Sequence, residues 1–148
     1  MNRNSKKRDK TYFRDLYSSK RRLKRRVLWQ ERRLAEAVSM YLKLPNAFPI
    51  KSSNLYTRLE WLLTWKLKTG CCPQVMWCDG LENLAIKKIG KYQIAFKSEI
   101  WIGPEDGSSI TTKGRIQGAI EVRPTTKRLK NYKMVIDHDG DQYIAKRT

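Results

Sequence analysis

The first part of the chain carries apolar residues at helical spacing. Between Ser18 or Ser19 and Leu44 they recur at intervals of four or seven residues: Leu23, Val27, Leu34, Val38 and Leu42. Residues spaced in this way lie on one face of an α-helix, and Ser is a favourable N-cap. The pattern therefore predicts a long amphipathic helix, which Pro45 helps to end because proline cannot continue it.

A second, shorter helix is predicted after a loop that contains two prolines. Ser53 or Asn54 would cap its start, and Gly70 would supply a left-handed stop. Its buried face consists of leucines: Leu55, Leu59, Leu62, Leu63 and Leu67. A different stripe of the same helix holds Arg58, Trp61, Trp65 and Lys68. The two indoles either belong to the core or form a ridge on which bases stack.

After Gly70 the apolar pattern changes to a period of two, which is the period of a β-strand. The alternating segments are residues 84–89, 91–102, 115–122 and 132–136, separated by turn formers at Gly90, 103–107 and Asp139-Gly140. We therefore predict an α+β fold. Two N-terminal helices, one long, basic and amphipathic and one rich in Trp and Leu, pack on a C-terminal antiparallel sheet or small barrel of about four to six strands.

The first residues differ from the rest, because residues 1–10 hold no apolar side chain after Met1. Such a segment cannot bury enough apolar surface to fold, so residues 1–18 are predicted to be a disordered basic arm. Residues 19–148 then form a single α+β domain, with a helical part at 19–70 and a β part at 80–148. A chain of 148 residues is long enough for one modest core.

The net charge of the chain indicates what kind of partner it binds. The chain holds 32 Lys and Arg against 14 Asp and Glu, a formal net charge of +18, and residues 1–33 alone hold 14 of the basic residues against 3 acidic ones. So high a charge repels itself unless an anion neutralises it. The sequence therefore indicates a polyanionic partner, most simply nucleic acid.

The compartment is predicted from what the chain lacks. No apolar run is long enough for a membrane span or a secretory signal. Cys71, Cys72 and Cys78 cluster without the pattern of a disulfide framework, which indicates a reducing environment. We expect an intracellular protein of the cytoplasm, nucleoid or nucleus, with no membrane partner and no cofactor, metal or catalytic residue.

The strongest functional pattern is the segment Lys20–Arg33, in which Trp29 stands among arginines and lysines. Arginine forks pair with phosphates and guanine edges, and an indole stacks on an unpaired base. Residues 21–33 resemble the arginine-rich helices of lentiviral Rev and phage antitermination N proteins, in which a basic helix with an interleaved Trp enters a widened RNA groove. The resemblance implies a binding mode and no common descent, and it makes RNA slightly preferred over DNA. Leu23, Val27 and Leu28 depart from it, since they make this segment more apolar than those helices.

The residues predicted to contact nucleic acid form three sets. The arm contributes Lys6, Lys7 and Arg8. The first helix contributes Lys20, Arg21, Arg22, Lys24, Arg25, Arg26, Trp29, Arg32 and Arg33. A loop at the sheet edge contributes Arg123, Lys127, Arg128, Lys130 and Lys133. Further cations would add positive field on the exposed face of the sheet, with Tyr92 and Trp101 as base platforms: Lys87, Lys88, Lys91, Lys97, Lys113 and Arg115.

Two other functions compete with this one. The first is a protein-interaction module, or an inhibitor of a nucleic-acid enzyme, that docks through a helical seam formed by Leu23, Val27, Leu34 and Val38. The second is a small metal-dependent nuclease, because Asp106, Glu121 and Arg123, with Glu60 upstream, resemble in spacing the PD-(D/E)xK nuclease motif. In that motif a lysine stands where this chain has Arg123.

Overall fold

A computed structural model describes the backbone of residues 3–70, 76–104, 112–124 and 128–147, and the side chains of 20–68, 80–103, 112–124 and 128–147. Two helices come first, α1 (Arg3–Lys43) and α2 (Asn54–Gly70), with a short 3₁₀ helix, Ile50–Ser52, between them. Five strands follow: β1 (Met76–Gly90), β2 (Gln93–Pro104), β3 (Thr112–Val122), β4 (Leu129–His138) and β5 (Asp141–Arg147).

Each strand pairs antiparallel with the next one along the chain, so the sheet has the order β1-β2-β3-β4-β5. The predicted α+β class, with two N-terminal helices and a C-terminal antiparallel sheet, is confirmed. Of the two forms that the pattern allowed, the chain adopts the open sheet and not the barrel.

One face of the sheet carries the core, because alternate strand residues point to the same side. Ile94 and Ile100 of β2 and Ile120 of β3 are fully buried there. The rear of α1 and the leucine face of α2 contribute the other half of the core: Leu34, Ala35, Ala37, Val38, Leu59, Leu62, Leu63 and Leu67. Burying one such large side chain contributes about 1.5–3 kcal/mol, so this layer fixes which face of the sheet is left to solvent.

Helix α1 begins at Arg3, well before the predicted start, and so includes most of the predicted arm. Whether that segment is disordered in the free chain stays a prediction. The helix ends at Lys43, close to the predicted end, and Leu44 N–H donates to the Tyr41 carbonyl at 3.1 Å. The Lys88 ammonium donates to the Leu44 carbonyl. These two bonds satisfy polar groups that a helix end leaves without a partner in the helix.

Helix α2 starts as its sequence predicts. The Ser53 hydroxyl oxygen accepts a hydrogen bond from Tyr56 N–H at 3.3 Å, which is the usual N-cap contact. The Tyr56 hydroxyl in turn donates to the Leu84 carbonyl of β1 at 2.7 Å, and the Tyr41 hydroxyl donates to the Ile86 carbonyl at 3.1 Å. Burial raises the pKa of both phenols, so they remain neutral donors that tie the helices to β1.

A buried charged cluster joins the helices to the far edge of the sheet. Lys66 Nζ of α2 lies 2.5 Å from Glu31 Oε1 of α1, and the Arg147 fork of β5 donates to both Glu31 oxygens at 2.8 and 3.0 Å. Lys66 Nζ and Arg147 Cζ also lie 4.6 and 5.2 Å from the centre of the Tyr132 ring. We call these four residues the Glu31 cluster. The sequence did not predict this cluster, since its members lie far apart along the chain.

The Glu31 carboxylate is held in its charged form by this cluster. Burial raises the pKa of Glu31, but the hydrogen bonds from Arg147 and Lys66 outweigh burial and hold it below its usual value. The hydrogen bond to Glu31 raises the pKa of Arg147.

The chain forms two compact units, Met1–Gln30 and Glu31–Thr148. The core, the sheet and the Glu31 cluster all belong to the second unit. Among the described residues, no helix combines the length and the apolar composition that crossing a membrane requires.

Candidate nucleic-acid interface

The basic part of α1 exposes its charged side chains. We define the basic helix surface as Lys20, Arg21, Arg22, Lys24, Arg25, Arg26 and Trp29. Every one of these side chains is exposed, and Trp29 has 52% of its surface open to solvent. The first unit therefore presents six cations and one indole on a single helical segment.

Three arginines share the side of α1 that carries Trp29. Arg22, Arg25 and Arg26 precede Trp29 by seven, four and three residues, and residues at these intervals are neighbours on a helix surface. We call Arg22, Arg25, Arg26 and Trp29 the Arg-Trp face. No ion pair between described residues involves these three arginines, so their forks are available to an anion.

Glu31 does not neutralise this segment. It is the only acidic residue between Asp15 and Glu36 in the sequence. Its side chain is buried, and its charge is taken up by Lys66 and Arg147 of the second unit. The net positive charge of the exposed segment is therefore larger than its composition suggests.

The remaining predicted contact residues are spread over several places. Lys6, Lys7 and Arg8 lie in α1, but their side chains are outside the described residues, as is Lys127. Arg32 and Arg33 are exposed on the part of α1 that belongs to the second unit.

The predicted loop set is not one patch, because Arg123 and Arg128 lie between β3 and β4 whereas Lys130 and Lys133 lie within β4. Arg123 and Arg128 are both exposed, and Arg123 N–H donates to the Arg128 carbonyl at 2.9 Å. Lys130 is engaged with Glu121, 3.6 Å away. Lys133 lies within β4 and points to the face of the sheet that the helices leave uncovered.

That uncovered face, which we call the open face, carries the outward residues of all five strands. Across its middle they are Ala85, Lys87, Ala95, Lys97, Gln117, Ala119, Lys133, Val135, Ile144 and Lys146. Of the sheet cations predicted to lie there, Lys87 and Lys97 do, and Lys113 and Arg115 lie towards one end. Lys88 and Lys91 were predicted there wrongly, because Lys88 points to the helices and bonds Leu44, and Lys91 lies in the turn between β1 and β2.

The two aromatic residues predicted as platforms on the sheet are already engaged. Trp101 donates from Nε1 to Glu82 Oε2 at 2.9 Å, and Lys113 Nζ lies 5.2 Å from the centre of its ring. Lys113 also pairs with Glu99 at 3.2 Å, and this hydrogen bond lowers the pKa of the Glu99 carboxyl. Tyr92 lies in the turn after β1, with Lys91 Nζ 5.4 Å from its ring centre.

Trp61 and Trp65, which the sequence assigned either to the core or to a stacking ridge, differ in their exposure. Trp61 is 56% exposed and so is not a core residue, whereas Trp65 is partly buried. A stacking role for Trp61 stays a prediction.

The helical seam is divided between the two units. Leu34 and Val38 are fully buried in the core of the second unit. In the first unit, Leu23 is exposed and Val27 is half-buried. A protein partner would therefore meet only the front of the seam, since the chain itself covers the rear.

The nuclease constellation is only partly described, because Asp106 lies outside the described residues. Glu121 accepts a hydrogen bond from the Asn131 amide at 2.8 Å and pairs with Lys130. His138 is buried, 2.5 Å from the Thr112 hydroxyl, while the three cysteine side chains are not described. Within the described part of the chain, no three acidic, His or Cys side chains lie close enough together to hold a metal ion.

Comparison with protein-family models, with curated proteins and with solved structures found no match to this chain.

Proposed function

We propose that this chain is a nucleic-acid-binding protein that neutralises a phosphate-rich groove with the basic helix surface, and that structured RNA is its preferred ligand. The observation that carries the proposal is the exposure of six cations and Trp29 on one helical segment, together with the burial of Glu31, the nearest described carboxylate along the sequence, which is paired elsewhere. A solvated helix surface normally mixes the two signs of charge, whereas this one does not.

The chemistry of the Arg-Trp face suits RNA better than a uniform duplex. Guanidinium forks bind phosphate oxygens in pairs, and they remain charged at every physiological pH. An exposed indole gains stacking energy only where a base is unpaired or splayed, as in loops and bulges. The combination supports a ligand with an irregular helix, in which phosphates and an accessible base occur together.

The test is a binding titration of the full chain with structured RNA, duplex DNA and single strands over a salt series. The variant replaces Arg22, Arg25 and Arg26 with Ala, which keeps helix propensity high. Each phosphate that the variant no longer neutralises lowers the slope of log affinity against log salt by about 0.7–0.9, so three such phosphates lower it by about 2–3. We expect at least tenfold weaker binding to structured RNA.

A charge-matched control replaces Lys43, Lys51 and Lys91, which are exposed outside the basic helix surface, with Ala. It should bind nearly as the unmodified chain does. Weak binding to every nucleic acid, unchanged in the arginine variant, would overturn the proposal and favour a protein partner at the front of the seam.

A further inference from the structure

The strand register places four lysines around the middle of the open face. Lys87, Ala95, Ala119, Lys133 and Lys146 form one cross-strand row, because each pairs with the next on the neighbouring strand. Lys97 belongs to the adjacent row, opposite Ala85 and Gln117. Two lysines therefore stand on β1 and β2, and two stand on β4 and β5.

A groove runs between these two lysine pairs. It has a volume of about 460 Å³, and its lining includes Lys87, Lys97 and Lys133. Strands lie about 4.8 Å apart, so β2 and β4 are separated by about 10 Å. The floor is made of short side chains, Ala95 of β2 and Ala119 of β3, together with the Gln117 amide of β3.

The lysines of this groove form no ion pair between described residues, whereas Lys113 and Lys130 at its ends do. Lys113 pairs with Glu99 and Glu82 at one end, and Lys130 pairs with Glu121 at the other. In the described part of the chain no ion pair involves Lys87, Lys97, Lys133 or Lys146. The acidic residues of the sheet thus neutralise its ends and leave the middle cationic.

We propose that this groove binds the phosphodiester backbone of a single-stranded nucleic-acid segment, as a second contact site separate from the basic helix surface. The proposal rests on the proposed function, since the same ligand class supplies the phosphates. Lysine ammonium groups bind phosphates as point charges, and two facing pairs match the repeating charges of one strand. Because the side chains of the floor are short, a nucleic-acid strand can lie between the lysines. The Gln117 amide offers both a hydrogen-bond donor and an acceptor to its sugars or bases.

A strand of nucleic acid fits the groove better than an acidic peptide does. A peptide that binds a sheet surface gains much of its affinity from apolar or aromatic anchors placed in pockets. The floor here offers alanine methyl groups and Val135, which give such anchors little depth. Ile86 and Phe96 also line the groove, but their side chains pack in the core on the other face of the sheet. The groove matches its proposed ligand in charge, because a nucleic-acid strand carries a negative phosphate at every nucleotide.

The test uses the full chain with a labelled pyrimidine homopolymer of about 16 nucleotides, a length that covers a typical single-strand site and does not fold. The variant replaces Lys87, Lys97 and Lys133 with Gln, and the matched control replaces Lys43, Lys51 and Lys91 with Gln. We expect the variant to bind the homopolymer about tenfold more weakly, with a salt slope reduced by about 2. The control should change neither quantity, and circular dichroism should show that all chains are folded.

Parallel measurements separate the two proposals. One outcome is that the arginine variant loses affinity for structured RNA while the lysine variant keeps the affinity of the unmodified chain for the homopolymer. In that case the groove proposal is overturned and the proposed function stands. If no nucleic acid binds at all, both are overturned. If poly-glutamate displaces the homopolymer at an equal concentration of charge, the groove is a site for acidic peptides, which also overturns the proposal.

Discussion

At the scale of single residues, Glu31 connects three elements of the fold, α1, α2 and β5. Its carboxylate is shared by Lys66, which is buried with it, and by Arg147, whose side chain keeps 43% of its surface exposed. Removing the carboxylate would take from the buried Lys66 ammonium the negative charge that lies 2.5 Å away. Removing Lys66 would leave Glu31 with the two hydrogen bonds of the Arg147 fork. The two partners of one ion pair are therefore not equivalent.

We expect Glu31→Gln to lower the free energy of unfolding by about 3 kcal/mol or more, because breaking a buried ion pair leaves an uncompensated charge. The matched substitution Lys66→Met should cost clearly less, since methionine has a similar volume and leaves the Glu31–Arg147 pair intact. Urea unfolding followed by circular dichroism measures both. An equal or larger loss of stability in the Lys66 variant would show that Arg147 does not compensate Glu31.

The same carboxylate predicts how stability depends on acid. Because the pKa of Glu31 is lower in the folded chain than its usual value of 4.5, its contribution is fully present above pH 4.5 and is lost as pH falls through the lowered pKa. The unmodified chain should therefore lose stability more steeply below pH 4.5 than Glu31→Gln does. Unfolding midpoints of both chains from neutral to acidic pH test this. Parallel curves would mean that other carboxylates dominate acid unfolding.

At the scale of elements, the sequence predicts what local signals determine. The start of α2 follows from a cap that Ser53 makes within its own turn. The start of α1 was not predicted, because residues 3–10 carry no apolar side chain and therefore no helical period. Two features join residues that lie far apart in the chain: the Glu31–Lys66 contact and the lysines of the open face. Helix packing and strand register bring these residues together, and no local sequence pattern indicates either. The exposure of the basic helix surface was predictable, since a run of cations has no place in a core.

The turn between β4 and β5 was also predictable and can be tested. Asp139 and Gly140 have φ of 50° and 82°, as a two-residue type I′ hairpin requires. Gly140→Ala should lower the free energy of unfolding by about 1–2 kcal/mol, the cost of a left-handed conformation for a residue with a Cβ. Gly90→Ala is the control, because its new Cβ would meet Gln93 Cβ at an ordinary 3.6 Å. Equal effects of the two substitutions on urea unfolding would contradict a left-handed requirement at Gly140.

At the scale of the whole molecule, charge and core belong to different units. Residues 1–30 hold 12 basic and 2 acidic residues. Among the side chains that the structure describes, the buried apolar cluster runs from Leu34 to Ala145 and draws no member from residues 20–30. The second unit thus holds the folded core, and the first, with about a fifth of the residues, supplies +10 of the net charge of +18.

A chain of residues 31–148 should therefore still unfold cooperatively in urea, because it keeps every member of that core. It should bind structured RNA at least about a hundredfold more weakly at about 0.15 M salt, since the basic helix surface is gone and fewer counterions are released when fewer phosphates are neutralised. Its affinity for a pyrimidine homopolymer should fall by a smaller factor, because the groove of the open face remains. Loss of cooperative unfolding would show that residues 1–30 stabilise the core. Undiminished RNA binding would assign the polyanion site to the sheet alone.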